Sequence, residues 1–166
     1  MRETNSTRRM RDGDGRTGGR DGRRLTPRLP GHHQRGTSGR GLFAFGLYEP
    51  DDPRVQATMR ALREGLWVRG GVGGMARYDG DAYHRTDGGV PGNPWVICTL
   101  WLADWLARIA DSEAKLDEAV ALLAWAQRHA LPSGVLPEQV DPGSGKPLSV
   151  SPLAWSHATY VATVQR

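Results

Sequence analysis

Cysteine is nearly missing from this chain of 166 residues: Cys98 stands alone, so no internal disulfide can form and no cysteine cluster can hold a metal. Long apolar runs are missing too. No stretch reaches the ~18 residues of a membrane-spanning helix, and the first thirty residues lack the apolar centre of a secretory signal, so Arg8-Arg9 is not read as a twin-arginine leader. The expectation is a cytoplasmic protein with no membrane partner. Gly70-Gly71-Val72-Gly73-Gly74 lacks both the Gly-Lys-Ser/Thr of a phosphate loop and the third glycine of a dinucleotide fingerprint, and it follows a helical pattern rather than a strand. It reads as a flexible turn that lets the backbone approach a site.

Residues 1–40 contain no aromatic residue, and Leu25 and Leu29 are almost their only large apolar side chains. Such a stretch cannot bury enough surface to offset its ordering entropy. It holds eleven Arg and four acidic residues, net +7, which leaves −3 of the overall +4 for residues 41–166. The sequence pI of 9.7 therefore describes this stretch. Its Gly-Arg steps at 15–16, 19–20, 22–23 and 39–40 suit RNA, but no aromatic interleaves them to stack on bases, which argues against a nucleic-acid partner. The expected organisation is a disordered Arg/Gly-rich tail over 1–40 and a folded region over 41–166. The abrupt change at Arg40 is what a frameshift or miscalled start in a GC-rich gene would produce, and residues 158–166 read as an unfinished helix.

Beyond the tail the periodicity is helical. Asp51 or Asp52 can cap a helix with Pro53 in its first turn, and Val55, Met59, Leu62 and Leu66 then share one face. Residues 95–110 form a second helix, apolar nearly all round, which calls for burial on most sides. A third runs over 112–130 with Leu116, Val120, Leu123 and Gln127 in line, and a fourth starts from Ser151 as cap with Pro152 in its first position. A short turn joins the second and third helices, whereas 70–94 and 131–150 are loops of about twenty residues, a length associated with function or with disorder. Antiparallel helical hairpins with long, motif-bearing loops at one end follow.

Those loops carry Arg77-Tyr78-x-x-Asp81-x-Tyr83, then Gly92-Asn93-Pro94-Trp95, then Leu136-Pro137-Glu138-Gln139, with Trp155-Ser156-His157 opening the last helix. From the residues alone, Arg77 is equally an ion-pair partner for Asp79 or Asp81 or a guanidinium binding paired hydroxyls. Trp95 is a core residue or a platform for a sugar ring. Glu138 is a solvated loop carboxylate or a catalytic one, and His157, with no partner at ligand spacing, is a hydrogen-bonded helix histidine.

In this order the motifs resemble the carboxyl-terminal part of a family 15 glycoside hydrolase, a family of glucoamylases, glucodextranases and some trehalases. The likeness covers about residues 43–165. It implies an all-α, incomplete (α/α)6 toroid and inverting hydrolysis of terminal α-glucosidic bonds in starch-type oligosaccharides or trehalose, with no metal or organic cofactor. Glu138 becomes the general base, one of two carboxyl groups ~6.5 to 9.5 Å apart across the scissile bond. Arg77, Tyr83, Trp95 and Trp155 become substrate-binding residues, with Tyr78 and Asp81 as supports and Trp155 also buttressing the base loop. The family's general acid lies upstream, and neither Asp79, Asp87, Asp141 nor any other acidic residue here matches its motif, so the chain is expected to be inactive alone. An incomplete toroid would expose part of helix 95–110 and favour a non-native oligomer. The rival reading is a non-enzymatic carbohydrate-binding or assembly piece; an Arg/Gly-tail nucleic-acid binder comes third.

Overall fold

The computed structural model describes residues 36–166. A 3-10 turn, Thr37–Arg40, runs into a one-turn helix α1, Gly41–Ala44, so the last residues of the Arg/Gly-rich stretch are ordered and Thr37 is buried. The main helices are α2 Pro53–Leu66, α3 Val96–Arg108, α4 Glu113–Arg128 and α5 Ala154–Val164. A two-residue hairpin pairs β1, Gln139–Val140, with β2, Pro147–Leu148. The fold is all-α, and among the described residues no helix is long and apolar enough to cross a membrane.

Helix α2 starts where its side chains dictate. Asp52 occupies the cap, its carboxylate accepting the Arg54 N–H at 2.8 Å, and Pro53 fills the first helical position, where no N–H is needed. Val55, Met59, Leu62 and Leu66 are all buried. Helix α3 is enclosed on nearly every side, with ten of its thirteen residues buried. The large apolar residues left exposed lie elsewhere and include Phe45 and Leu47 after α1 and Trp155, Val161 and Val164 on α5.

Two expectations need correction. In α4 the buried residues are Ala119, Leu122, Trp125 and Ala126, while Leu116 and Val120 face solvent. The buried stripe is rotated because alanines allow close approach to α3 and Trp125 supplies the bulk. Helix α5 begins at Ala154, with Leu153 rather than Ser151 in the cap position. Residues 150–153 are drawn into backbone pairing instead: Glu138 N–H donates to Val150 O at 2.9 Å and Leu153 N–H to Leu136 O at 3.2 Å.

The 109–112 turn and the 49–52 segment meet at one end, where the Trp105 indole donates to Pro50 O at 3.1 Å. The long loops occupy the other end and pair side by side. Val68 N–H donates to Gly74 O, Trp95 N–H to Met75 O and Val140 N–H to Pro94 O, and β1 continues to β2. On the outer side Thr37 N–H donates to Arg77 O. Each rung stands ~4.8 Å from the next. Gly74 makes the second rung possible: its φ is +93°, and a Cβ there would lie 2.6 Å from the Trp125 ring and 2.9 Å from Pro94. Close packing, rather than access to a site, is what this glycine provides.

Candidate active site

The ladder carries Arg77, Trp95 and Glu138 on neighbouring rungs. Helix α3 itself fixes the last of these. Its first-turn N–H groups have no partner within the helix, and that of Val96 donates to the Glu138 carbonyl at 3.0 Å. Leu136 and Val140, two residues to either side of Glu138, are anchored with Val96, Leu100 and Trp125 in a core cluster beneath it. Ser156 Oγ donates to Pro137 O at 3.0 Å, and Leu136 N–H donates to His157 Nε2 at 3.0 Å. His157 is thus the hydrogen-bonded helix histidine expected. The loop carrying Glu138 is clamped from below by apolar burial and from α5 by two side chains.

The Glu138 carboxylate is half-buried and accepts a hydrogen bond from Ser149 Oγ. Sequence reasoning missed Ser149. It lies eleven residues away, and only the β1–β2 hairpin returns it to Glu138. Its φ of +63° is unusual for a residue other than glycine, so its backbone is held in a costly conformation at this contact.

Arg77 donates from Nε and Nη2 to the two oxygens of Asp81, at 3.0 and 2.9 Å. Of the two partners considered, Asp81 is the one used. It is 1% exposed and also accepts the Tyr83 N–H at 3.1 Å. Burial would raise the Asp81 carboxyl, but the Arg77 and Tyr83 bonds outweigh it and hold the group below the usual carboxylate range. Burial likewise opposes the Arg77 charge, and the Asp81 carboxylate overcomes it. Three rings surround the guanidinium, with centroids 4.3 Å away for Trp95, 4.8 Å for Tyr78 and 5.5 Å for Tyr83. Nη1 makes no hydrogen bond among the described residues, so one edge of the fork faces outward.

The aromatic residues divide. Tyr83 is 44% exposed and lies 6.0 Å from Trp95, ring to ring. Trp95 is 6% exposed with Arg77 over its ring, so the cation takes the place foreseen for a sugar. Trp155 is 60% exposed and packs edge-on against Trp101 of α3, ring centroids 5.8 Å apart. It is not brought into the Arg77 cluster; its neighbours Ser156 and His157 do the buttressing. Cys98 takes no part, since burial pushes its thiol up to about 12 although the Thr37 hydroxyl opposes this.

Antiparallel helices that gather a carboxylate and an aromatic-caged arginine on paired loops at one end have the layout of a helical glycoside-hydrolase domain. Residues 44–165 match the profile described as glycosyl hydrolases family 15, and the chain belongs to that family. An uncharacterized glycosyl hydrolase of Methanocaldococcus jannaschii is 32% identical over 131 residues, 74% of this chain and 20% of that protein. A trehalase of Mycobacterium tuberculosis is 32% identical over 117 residues, 69% of this chain and 16% of that one. Among solved structures, a bacterial glucoamylase complexed with acarbose superposes with a TM-score of 0.65 at 25% identity, over 78% of this chain and 19% of the glucoamylase. The chain thus spans about a fifth of the length of these relatives.

Proposed function

We propose that this chain carries the base side of an inverting α-glucoside hydrolase site acting on starch-type oligosaccharides or trehalose. Glu138 takes a proton from the attacking water. Arg77, through its outward edge, and Tyr83 hold hydroxyls of the terminal sugar, and Trp95 supports Arg77 from beneath. The observation that carries the reading is the ladder, which sets the half-buried Glu138 carboxylate on a rung next to the one that bears Trp95 under Arg77. Membership of the family and the acarbose complex of a similar glucoamylase support it.

Inverting hydrolysis needs a second carboxyl group that protonates the leaving oxygen. No acidic residue of this chain stands in the family's acid motif, so the chain binds sugar without turning it over. General acid catalysis contributes ~10² to 10⁴-fold, and losing half of the binding site costs more. The test is calorimetric titration with acarbose alongside proton NMR of maltose and trehalose. Acarbose is expected to bind, Arg77→Ala to weaken it at least tenfold, and no glucose to appear. Acarbose binding that is indifferent to Arg77→Ala removes Arg77 from the site, and glucose release abolished by Glu138→Gln refutes the inactivity.

A further inference from the structure

Asn93 is buried, 1% exposed, and every hydrogen-bonding position of its side chain is used. Nδ2 donates to His84 O at 2.7 Å and to Gln139 Oε1 at 2.9 Å. Oδ1 accepts the Thr86 N–H at 3.2 Å and the Thr86 hydroxyl at 3.3 Å. Two donors and two lone pairs are all a carboxamide has. Its orientation is fixed by the backbone: the Thr86 N–H can only donate and the His84 carbonyl can only accept, so a flipped amide would oppose like groups. Gln139, fully buried, must therefore present Oε1, and its Nε2 has no partner among the described residues.

The two loops joined this way are 46 residues apart in sequence at the Asn93–Gln139 bond. Among the described residues no backbone hydrogen bond connects 82–90 with 138–141. Side chains span the gap, through the Asn93 amide, which bonds Gln139 on one side and His84 and Thr86 on the other. One loop carries Tyr83, adjacent to His84 and over Arg77; the other carries Glu138, adjacent to Gln139.

We infer that Asn93 is a positioning residue that sets the separation between Tyr83 and Glu138. It acts through the His84–Thr86 backbone and the Gln139 amide and need not touch a ligand. The clamp stands on geometry; only its effect on ligand affinity rests on the sugar-site reading above.

The experiment uses the full chain with Asn93→Asp, Asn93→Leu and a control, Met59→Ala, which opens the core on α2. Asn93→Asp keeps the acceptor for Thr86 and removes the donors to His84 and Gln139. Hydrogen exchange should show protection of Tyr83–Thr86 and Gln139–Val140 falling together at least tenfold in Asn93→Asp and not in Met59→Ala. The Arg77 Nε–H NMR signal, which lies near the Trp95 and Tyr83 rings, should shift in Asn93→Asp and stay in place in Met59→Ala below its melting temperature. Loss of protection in only one loop, or the same pattern in the control, overturns the inference. If Asn93→Leu does not fold, Asn93→Asp alone carries the comparison. In the ligand arm, acarbose should bind Asn93→Asp at least tenfold more weakly than wild type, and unchanged affinity overturns the positioning role. If the wild type binds no acarbose while the exchange result holds, the sugar reading fails and the clamp stands.

Discussion

Removing the Arg77 guanidinium, as in Arg77→Leu, leaves the Asp81 carboxylate buried with one hydrogen bond, from the Tyr83 N–H, in place of three. Breaking a fully buried ion pair from one side costs ~3 to 5 kcal/mol, because the surviving charge is uncompensated. The Arg77 side chain is 36% exposed, so water screens part of the pair and the ion-pair loss falls to roughly 2 to 3 kcal/mol. Loss of the cation from the Trp95 ring adds ~0.5 to 1 kcal/mol. The total of roughly 3 kcal/mol corresponds to a fall of about 10 °C in melting temperature for a folded region of this size. Urea unfolding of wild type, Arg77→Leu, Asp81→Asn and the double variant completes a cycle, with a coupling of about 1.5 to 2 kcal/mol expected within the usual range for residues in contact. A single-variant loss under about 1 kcal/mol, or an additive cycle, refutes the reasoning. It would mean that the pair is loosely made and that Arg77 does not depend on Asp81 for its place.

Three further outcomes follow from the same geometry. Gly74→Ala sets a Cβ against Trp125 and Pro94 at a φ of +93°; the strained backbone at ~1 to 2 kcal/mol and overpacking at ~1 to 3 kcal/mol together predict a loss of about 3 kcal/mol in urea unfolding, and a loss below about 1 kcal/mol contradicts the packing described. At Ser149, whose φ is +63°, glycine relieves the backbone while alanine does not, although both lose the bond to Glu138, so Ser149→Gly should melt at least as high as wild type and Ser149→Ala lower; the reverse order would remove the strain argument. Asp141 is held at about 2, first by the Ser144 N–H, then by its hydroxyl, against an ordinary value of 3.8; a depressed folded value means the unfolded chain binds more protons, so melting temperature should fall as pH drops from about 4 toward 2 and stay level above, and Asp141→Asn should remove part of that slope.

The parts of the fold legible in the sequence were those set by neighbouring residues. Asp52 and Pro53 determine where α2 begins through bonds spanning two residues, and its buried face is marked by large aliphatics at helical spacing. The face of α4 was misread because alanines mark the contact with α3 while leucine and valine stand in solvent, so hydrophobic size points the wrong way. The start of α5 was misread because a serine before proline has the form of a cap, whereas Val150 and Leu153 pair with the base loop. At the site, the family resemblance singled out Glu138 and Arg77 and gave Asp81 as a support. Ser149, Asn93 and the displacement of Trp155 toward Trp101 depend on contacts between segments far apart in the chain, which no local pattern encodes.

Those distant contacts also explain why this loop end can hold a carboxylate in place without regular secondary structure of any length. The Val96 N–H that α3 cannot satisfy internally is taken by the Glu138 carbonyl, and the Met75 N–H donates to Thr99 Oγ1, which itself donates to Trp95 O. The helix terminus and the two loops therefore satisfy one another's buried polar groups, each of which would cost ~1 to 3 kcal/mol if left unpaired. Moving Glu138 by one rung would uncover the start of α3 and lift Leu136 and Val140 from the core cluster beneath it. The position of the carboxylate is in this sense a requirement of α3, ten of whose thirteen residues are buried.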